Sequence, residues 1–241
     1  MKINIAALLL FFTLGSLVAQ VDSLQIRPKK KLFKKTIVPL SLLTAGILLS
    51  DSNFEKNLHE TAQGWVGNDF RTHLDDYTRY APVATIFIAN VAGVKAQHHW
   101  FDQTKNLAVS MILTDVVTRA IKNSVYKIRP DGSNDNAFPS GHTSIAFASG
   151  SAVYEEYKNT NPYVAYSGYG FATITGGLRL FNNKHFTSDI LAGAGIGILV
   201  TKLVYHFDYL WKWNPFLKSK DVTLVPRYAP GNVGLYFSKS F

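Results

Sequence analysis

Between Thr36 and Thr201 the chain repeatedly runs for up to twenty residues without a charge: 36–50, 80–94, 159–178 and 190–201. Such segments cannot stand alone in water as helices. They must bury their sides on one another or in lipid. Two further segments, 106–121 and 143–157, carry helical spacing with few charges, and the expected fold is all-α, a bundle of about six main helices. Gly193 and Gly197, four residues apart, would let two of those helices approach closely.

Composition leans the same way. Hydrophobic residues are 47% of the chain, charged residues 17% and aromatics 13%, which favours a membrane-associated helical protein over an ordinary cytosolic domain. Most of the apolar runs are nevertheless shorter than the roughly 20 residues a membrane span needs, and the mean hydropathy is only +0.04. A compact soluble bundle accounts for the same runs. The absence of cysteine excludes disulfides and thiol chemistry. A net charge of +9 suits anionic lipids or phosphorylated substrates. Nucleic acid is disfavoured as a partner, because the basic residues are scattered among apolar helices rather than gathered in a groove.

The ends differ from the middle. Residues 1–19 hold Lys2, an apolar run from Ile3 to Leu14 and the tail Leu17-Val18-Ala19. This reads as a secretory signal cleaved after Ala19, or as an uncleaved anchor. Lys29-Lys30-Lys31 and Lys34-Lys35 follow, a basic cluster of the kind that marks a membrane surface or fixes topology. Residues 51–79 read as a polar connection with short helical pieces, in which Asp75-Asp76 caps the next helix. Asp115, Arg119 and Lys122 share a helix face, so the first two either support the lysine or form a plain surface ion pair. His98-His99 reads as a pair of interfacial polar residues rather than a metal site. Trp211 and Trp213 fit an interfacial belt. From Val222 two short alternating runs flank Ala229-Pro230-Gly231-Asn232, the pattern of a β-hairpin.

Three ordered clusters carry chemistry. Lys122 is followed by Arg129-Pro130, then by Pro139-Ser140-Gly141-His142, then by Arg179, His185 and Asp189. A phosphate ester resists attack because its oxygens are negative, so a catalyst must surround them with fixed positive groups. Lys122, Arg129 and Arg179 supply three cations. Ser140 and Gly141 lie where a loop enters a helix, and backbone N–H groups there favour an anion. His185 and Asp189 have i,i+4 spacing, which lets a carboxylate hold one imidazole nitrogen while the other attacks phosphorus. His142 would protonate the leaving oxygen. Every role is filled without a metal or other cofactor.

The set resembles the type 2 phosphatidic acid phosphatase superfamily, which includes bacterial acid phosphatases and vanadium haloperoxidases. The family pattern K-x6-R-P, P-S-G-H, S-R-x5-H-x3-D is matched here at every position except Leu178, where serine is usual. Only residues 131–138 separate the first two motifs, which leaves little room for a lid. The resemblance covers about residues 80–206. It implies an acid phosphatase/haloperoxidase-like helical fold and a phosphohistidine on His185, with His142 as acid and Asp189 orienting the nucleophile. It also implies that Lys122, Arg129, Ser140, Gly141 and Arg179 hold the phosphate.

The expected organisation is a signal or anchor at 1–19, a basic segment with the first apolar helix and connection at 20–79, a phosphatase core at 80–206, and a tail with the hairpin at 207–241. The expected activity is metal-independent hydrolysis of a phosphomonoester or diphosphate, on a membrane lipid such as phosphatidic acid, an isoprenyl diphosphate or a lipid A-like molecule, or on a small phosphate ester. A vanadate-dependent haloperoxidase and a non-catalytic membrane helical protein are the alternatives. If each helix spans, all three motifs land on one face. With residues 4–19 retained as a span and the lysine cluster cytoplasmic, that face is periplasmic and obeys the positive-inside rule. With the signal cleaved and six helices spanning, the lysines fall outside and the site inside, against that rule. The expected location is thus the inner membrane of a bacterial envelope, with an exported soluble or peripheral protein as the other choice.

Overall fold

The computed structural model describes residues 30–67, 69–217, 222–229 and 232–239. The expectation of a signal or anchor at 1–19 lies outside these residues. Within them are eight α-helices: α1 (Lys30–Leu49), α2 (Asn53–Val66), α3 (Leu74–Thr78), α4 (Ala81–Val91), α5 (Trp100–Ser124), α6 (Gly141–Tyr157), α7 (Pro162–Phe181) and α8 (Thr187–His206). A 3-10 turn at Asp208–Trp211 and the strands β1 (Val222–Ala229) and β2 (Asn232–Lys239) follow. The strands pair antiparallel, from Val222 opposite Lys239 to Ala229 opposite Asn232. The all-α class and the terminal hairpin match the expectation.

The six main helices expected are all present, and two more, α2 and α3, lie in 51–79, where short helical pieces were expected; α2 is longer than such a piece. Ser52 accepts a hydrogen bond from the Glu55 amide through its side chain and starts a 14-residue helix, α2. Its Ser-x-x-Glu spacing is a helix-start signature that the polar composition obscured. Likewise α5 begins six residues earlier than expected, where the His99 ring accepts from the Phe101 amide. Lys105 explains why those first turns are charged. Its ammonium meets Asp102 at 2.6 Å and the carbonyls of Trp211 and Trp213 at 2.9 Å each, tying the tail back to α5.

Helix α6 packs between α7 and α8, and α1 lies along the other side of α8. The α6–α8 approach depends on small residues. A Cβ at Gly193 would sit 2.6 Å from the Ser140 carbonyl oxygen, and one at Gly197 would strike the backbone of α6 at Ser144. Two apolar clusters fill the bundle. One joins Ile86, Leu107, Val153 and Tyr157; the other joins Leu43, Ile121, Phe138, Ala192 and Ile196. The second underlies the three sequence motifs.

Among the described residues two helices are long and apolar enough to cross a membrane, 32–49 within α1 and 187–206, which is α8. They differ in burial: 61% of the α8 window is buried inside the protein, against 17% of the α1 window. Helix α8 is therefore a core helix. Helix α1 turns Phe33, Ile37, Val38, Leu40 and Leu48 outward. It runs antiparallel to α8, with Gly46 against Ser188 and Ala192 and the Lys35 carbonyl accepting from Lys202. The lysine-bearing start of α1 and the N-terminus of α8 thus lie at opposite ends of the bundle.

Candidate active site

At that N-terminal end of α8 the three motifs meet. Lys122 closes α5, Ser140 through His142 open α6, Arg179 lies in the last turn of α7, and His185 and Asp189 flank the start of α8. Backbone bonds join the pieces: the Ser140 amide donates to the Asp189 carbonyl at 2.9 Å, and the His185 amide to the Arg179 carbonyl at 3.3 Å.

His185 is almost fully buried, and its Nδ1 lies 3.5 Å from Asp189 Oδ2. Burial, the largest influence, pushes its imidazole down to about 4; Asp189 works against the shift, while Arg179 and Lys122 add to it. At neutral pH the ring is uncharged, the state a nucleophilic nitrogen requires. Asp189 Oδ2 also accepts from the Phe186 amide at 2.8 Å, which fixes the carboxylate against the first turn of α8.

The cations crowd the same space. Burial drives Lys122 down to about 8, and Arg129 and Arg179 contribute to the fall. Lys122 donates to the Asn136 carbonyl at 2.6 Å. Arg179 is held through Nη1 by Asp75 at 2.5 Å, and Asn182 donates to the same carboxylate at 2.9 Å. The Nε atoms of Arg129 and Arg179 are buried without a hydrogen-bond partner, and so is that of a fourth cation, Arg79. A buried guanidinium N–H left unpaired is costly, and an anion delivered among the three relieves it.

His142 faces two groups through one nitrogen. Nε2 lies 2.9 Å from Asp76 Oδ1 and 3.1 Å from Arg79 Nη1. A proton on Nε2 is donated to Asp76; without it Nε2 accepts from Arg79, so the pair serves both protonation states. Burial lowers the His142 pKa, Asp76 opposes this, and Arg179 and Arg79 reinforce it. Asp75, Asp76 and His142 bring ligand atoms within 4.8 Å of one another. Arg179 and Arg79 already hold that cluster, and two guanidinium groups there suit an anion better than a cation.

Several expectations change. Asp75 and Asp76 do not merely cap a helix: they reach Arg179 and His142. The Ser140 amide is not free for phosphate, because it braces α6 on α8, and its buried hydroxyl accepts from Thr143 at 2.9 Å. Gly141 keeps its place in the first turn of α6. Asp115 and Arg119 pair with each other at 2.7 Å on the surface, while Lys122 turns to Asn136. His98 binds Glu156 and Asp208 at the far end of the bundle, and His99 caps α5. The short 131–138 link is pinned by Asp131 to Lys184 at 2.6 Å. Sequence reading missed Arg79, Glu55 and Lys127. Lys127 sits two residues before Arg129 with a buried ammonium that reaches Asp189 at 2.9 Å, and a lysine inside an apolar-flanked motif was the available signal.

Residues 103–213 match the model of the PAP2 superfamily. The lipid A 1-phosphatase of Porphyromonas gingivalis is 33% identical over 186 residues, 77% of this chain. The match spans 40% of that protein's length, so this chain corresponds to less than half of it. Among solved structures, Aquifex aeolicus LpxE superposes with a TM-score of 0.49 at 17% identity, over 65% of this chain and 98% of that one. A transmembrane PAP2-type phosphatidylglycerolphosphate phosphatase from Bacillus subtilis gives 0.48 at 20% identity, over 73% and 98%. With the motifs gathered at one end of the bundle, residues 103–213, from α5 past α8, are the part of the chain that matches the PAP2 superfamily.

Proposed function

We propose that the protein is a metal-independent phosphatase of a membrane lipid, with a lipid A-type phosphate as the favoured substrate. One observation carries the reading: a buried, uncharged His185 backed by Asp189 at 3.5 Å, beside arginines whose Nε groups lack partners. The phosphate sits among Lys122, Arg129, Arg179 and Arg79, near the first-turn amide of Gly141. His185 Nε2 attacks phosphorus, forming an N–P bond as the P–O bond to the alcohol breaks, and His142 gives its proton to the departing oxygen. Water then attacks the phosphohistidine, His142 takes back a proton, and His185 and inorganic phosphate are regenerated. The dianionic substrate favours the protonated form of His142, which burial and the neighbouring Arg179 and Arg79 oppose.

The lipid preference rests on the 33% identical lipid A 1-phosphatase and on the outward apolar side of α1. We read α1 as a membrane anchor. Lys34 and Lys35 sit at its start and the site lies at its other end, so cytoplasmic lysines put the site on the periplasmic side.

The test is phosphate release from lipid A, phosphatidic acid and an isoprenyl diphosphate in excess chelator. Chelator-resistant release, greatest on lipid A and abolished in His185→Ala, is the expected result. Loss of activity to chelator would overturn the metal-free scheme, and a preference for another lipid would overturn the substrate assignment.

A further inference from the structure

The mechanism above leaves unused a buried polar face on α2. Glu55, His59 and Gln63 recur every four residues, so they share one side of the helix. All three are turned toward the segment carrying His185. Gln63 donates to the Leu180 carbonyl at 2.8 Å, His59 Nε2 meets Asn183 Oδ1 at 2.7 Å, and Glu55 accepts from the Ser188 amide at 3.1 Å. Glu55 also holds Lys127 through both oxygens at 3.1 Å. Lys127 in turn donates to Ser188 Oγ at 2.7 Å and to Asp189 Oδ1 at 2.9 Å, with its ammonium 4.7 Å from the Phe186 ring. Glu55, Lys127 and Asp189 are 2%, 3% and 0% exposed.

Taking ions this far from water is expensive, and an apolar trio of the same volume would pack there at less cost. The arrangement makes physical sense if Asp189 must be both fixed and fully charged. Lys127 fixes it, occupying Oδ1 while Oδ2 faces His185. Alone, the lysine would cancel the negative charge that His185 needs behind it. Glu55 removes that difficulty by neutralising the lysine.

We propose that Glu55 and Lys127 are positioning residues for the nucleophile: Lys127 anchors the Asp189 carboxylate, and Glu55 balances Lys127 so that Asp189 keeps its charge toward His185. Neither residue touches the phosphate. Glu55 belongs to α2, outside the 103–213 segment that matches the superfamily, so the device joins an N-terminal helix to the core chemistry. The proposal rests on the phosphohistidine reading.

The charged groups around His185 set what a test must separate. Asp189 faces it from α8, Arg179 from α7 and Lys122 from α5. Arg129 is coupled to both Arg179 and Asp189. Glu55 and Lys127 reach it through Asp189, and His59 stacks edge-on against Phe186, next to it in the chain. Changing Glu55 or Lys127 leaves the other groups in place, and the two changes have opposite electrostatic signs.

The experiment compares Glu55→Gln, Lys127→Met and the double variant in the full-length chain. It reads kcat and KM per folded enzyme, the acid limb of kcat/KM, and thermal stability. Glu55→Gln leaves Lys127 unbalanced, so His185 becomes less basic: the acid limb moves down by about one pH unit and kcat falls by about tenfold, with KM nearly unchanged. Lys127→Met leaves Glu55 and Asp189 unbalanced, and the limb moves up by a similar amount. In the double variant the charges cancel and the limb returns toward the wild-type position.

A merely structural pair predicts something else. Both single variants would lose stability, the acid limb would stay in place, and kcat per folded molecule would be unchanged. That outcome, or limbs moving in the same direction in both single variants, would overturn the proposal. If a single variant does not fold, the other still moves the limb while the double variant restores it, and that contrast decides it. The phosphohistidine reading fails separately, through retained turnover in His185→Ala.

Discussion

The carboxylate of Asp75 lies 2.5 Å from Nη1 of Arg179, and both side chains are buried. This pair spans 104 residues of sequence and ties α3 to the last turn of α7. It orients the guanidinium while leaving Nε without a partner. Replacing Asp75 by Ala strands a buried cation, and such a loss costs about 3–5 kcal/mol. Asp75→Ala should therefore unfold at much lower denaturant concentration than the wild type, measured by equilibrium unfolding in detergent. A change under 1 kcal/mol (about a fivefold shift in the folding equilibrium) would show that water reaches the pair.

The pH dependence of turnover should begin unusually low. His185 must be neutral to attack phosphorus, and its imidazole is pushed down to about 4 rather than the ordinary 6.5. On His185's account rate is lost only as pH falls through that lowered value. Once kcat/KM is corrected for the dianionic fraction of the substrate and for the His142 ionisation, its acid limb should therefore lie below about pH 5, where an ordinary histidine would already be charged. A limb centred near 6.5 would mean that His185 is wetter than its burial indicates.

Lys122 sets an alkaline edge for binding, apart from the one that loss of the His142 proton sets for turnover. Its ammonium is lowered to about 8 by burial and by Arg129 and Arg179. A phosphomonoester is already a dianion above its second pKa near 6, so substrate charge does not change there. Bound phosphate favours protonated Lys122; affinity is full below about 8 and weakens as pH rises above it. KM should rise above that pH in the wild type, and Lys122→Met should raise KM at neutral pH and flatten the profile.

Helix spacing should matter as much as chemistry. In Gly193→Ala the new methyl group would meet the Ser140 carbonyl, a backbone atom that cannot swing aside. Forcing α6 from α8 separates His142 from His185. A stability loss of about 1–3 kcal/mol is expected for overpacking of this kind, with a larger fractional fall in kcat than in the folded fraction. Thermal melts and active-site-normalised rates measure the two effects side by side.

Much of this molecule was legible in its sequence because it is encoded locally. Uncharged runs with helical spacing gave the all-α bundle, Gly193 and Gly197 marked a close helix contact, and the order of Lys122, Arg129, His142, Arg179, His185 and Asp189 supplied the resemblance and the expected chemistry. What sequence could not supply were the partners brought in from far away. Asp75 and Asp76 looked like caps because their targets, Arg179 and His142, lie 104 and 66 residues on. Glu55 looked like one charge in a polar connection until α2 turned it inward against Lys127, 72 residues away. Local spacing determines which helix face a residue occupies; only the packing of those helices decides what that face meets, because buried charges must find partners wherever the fold brings them.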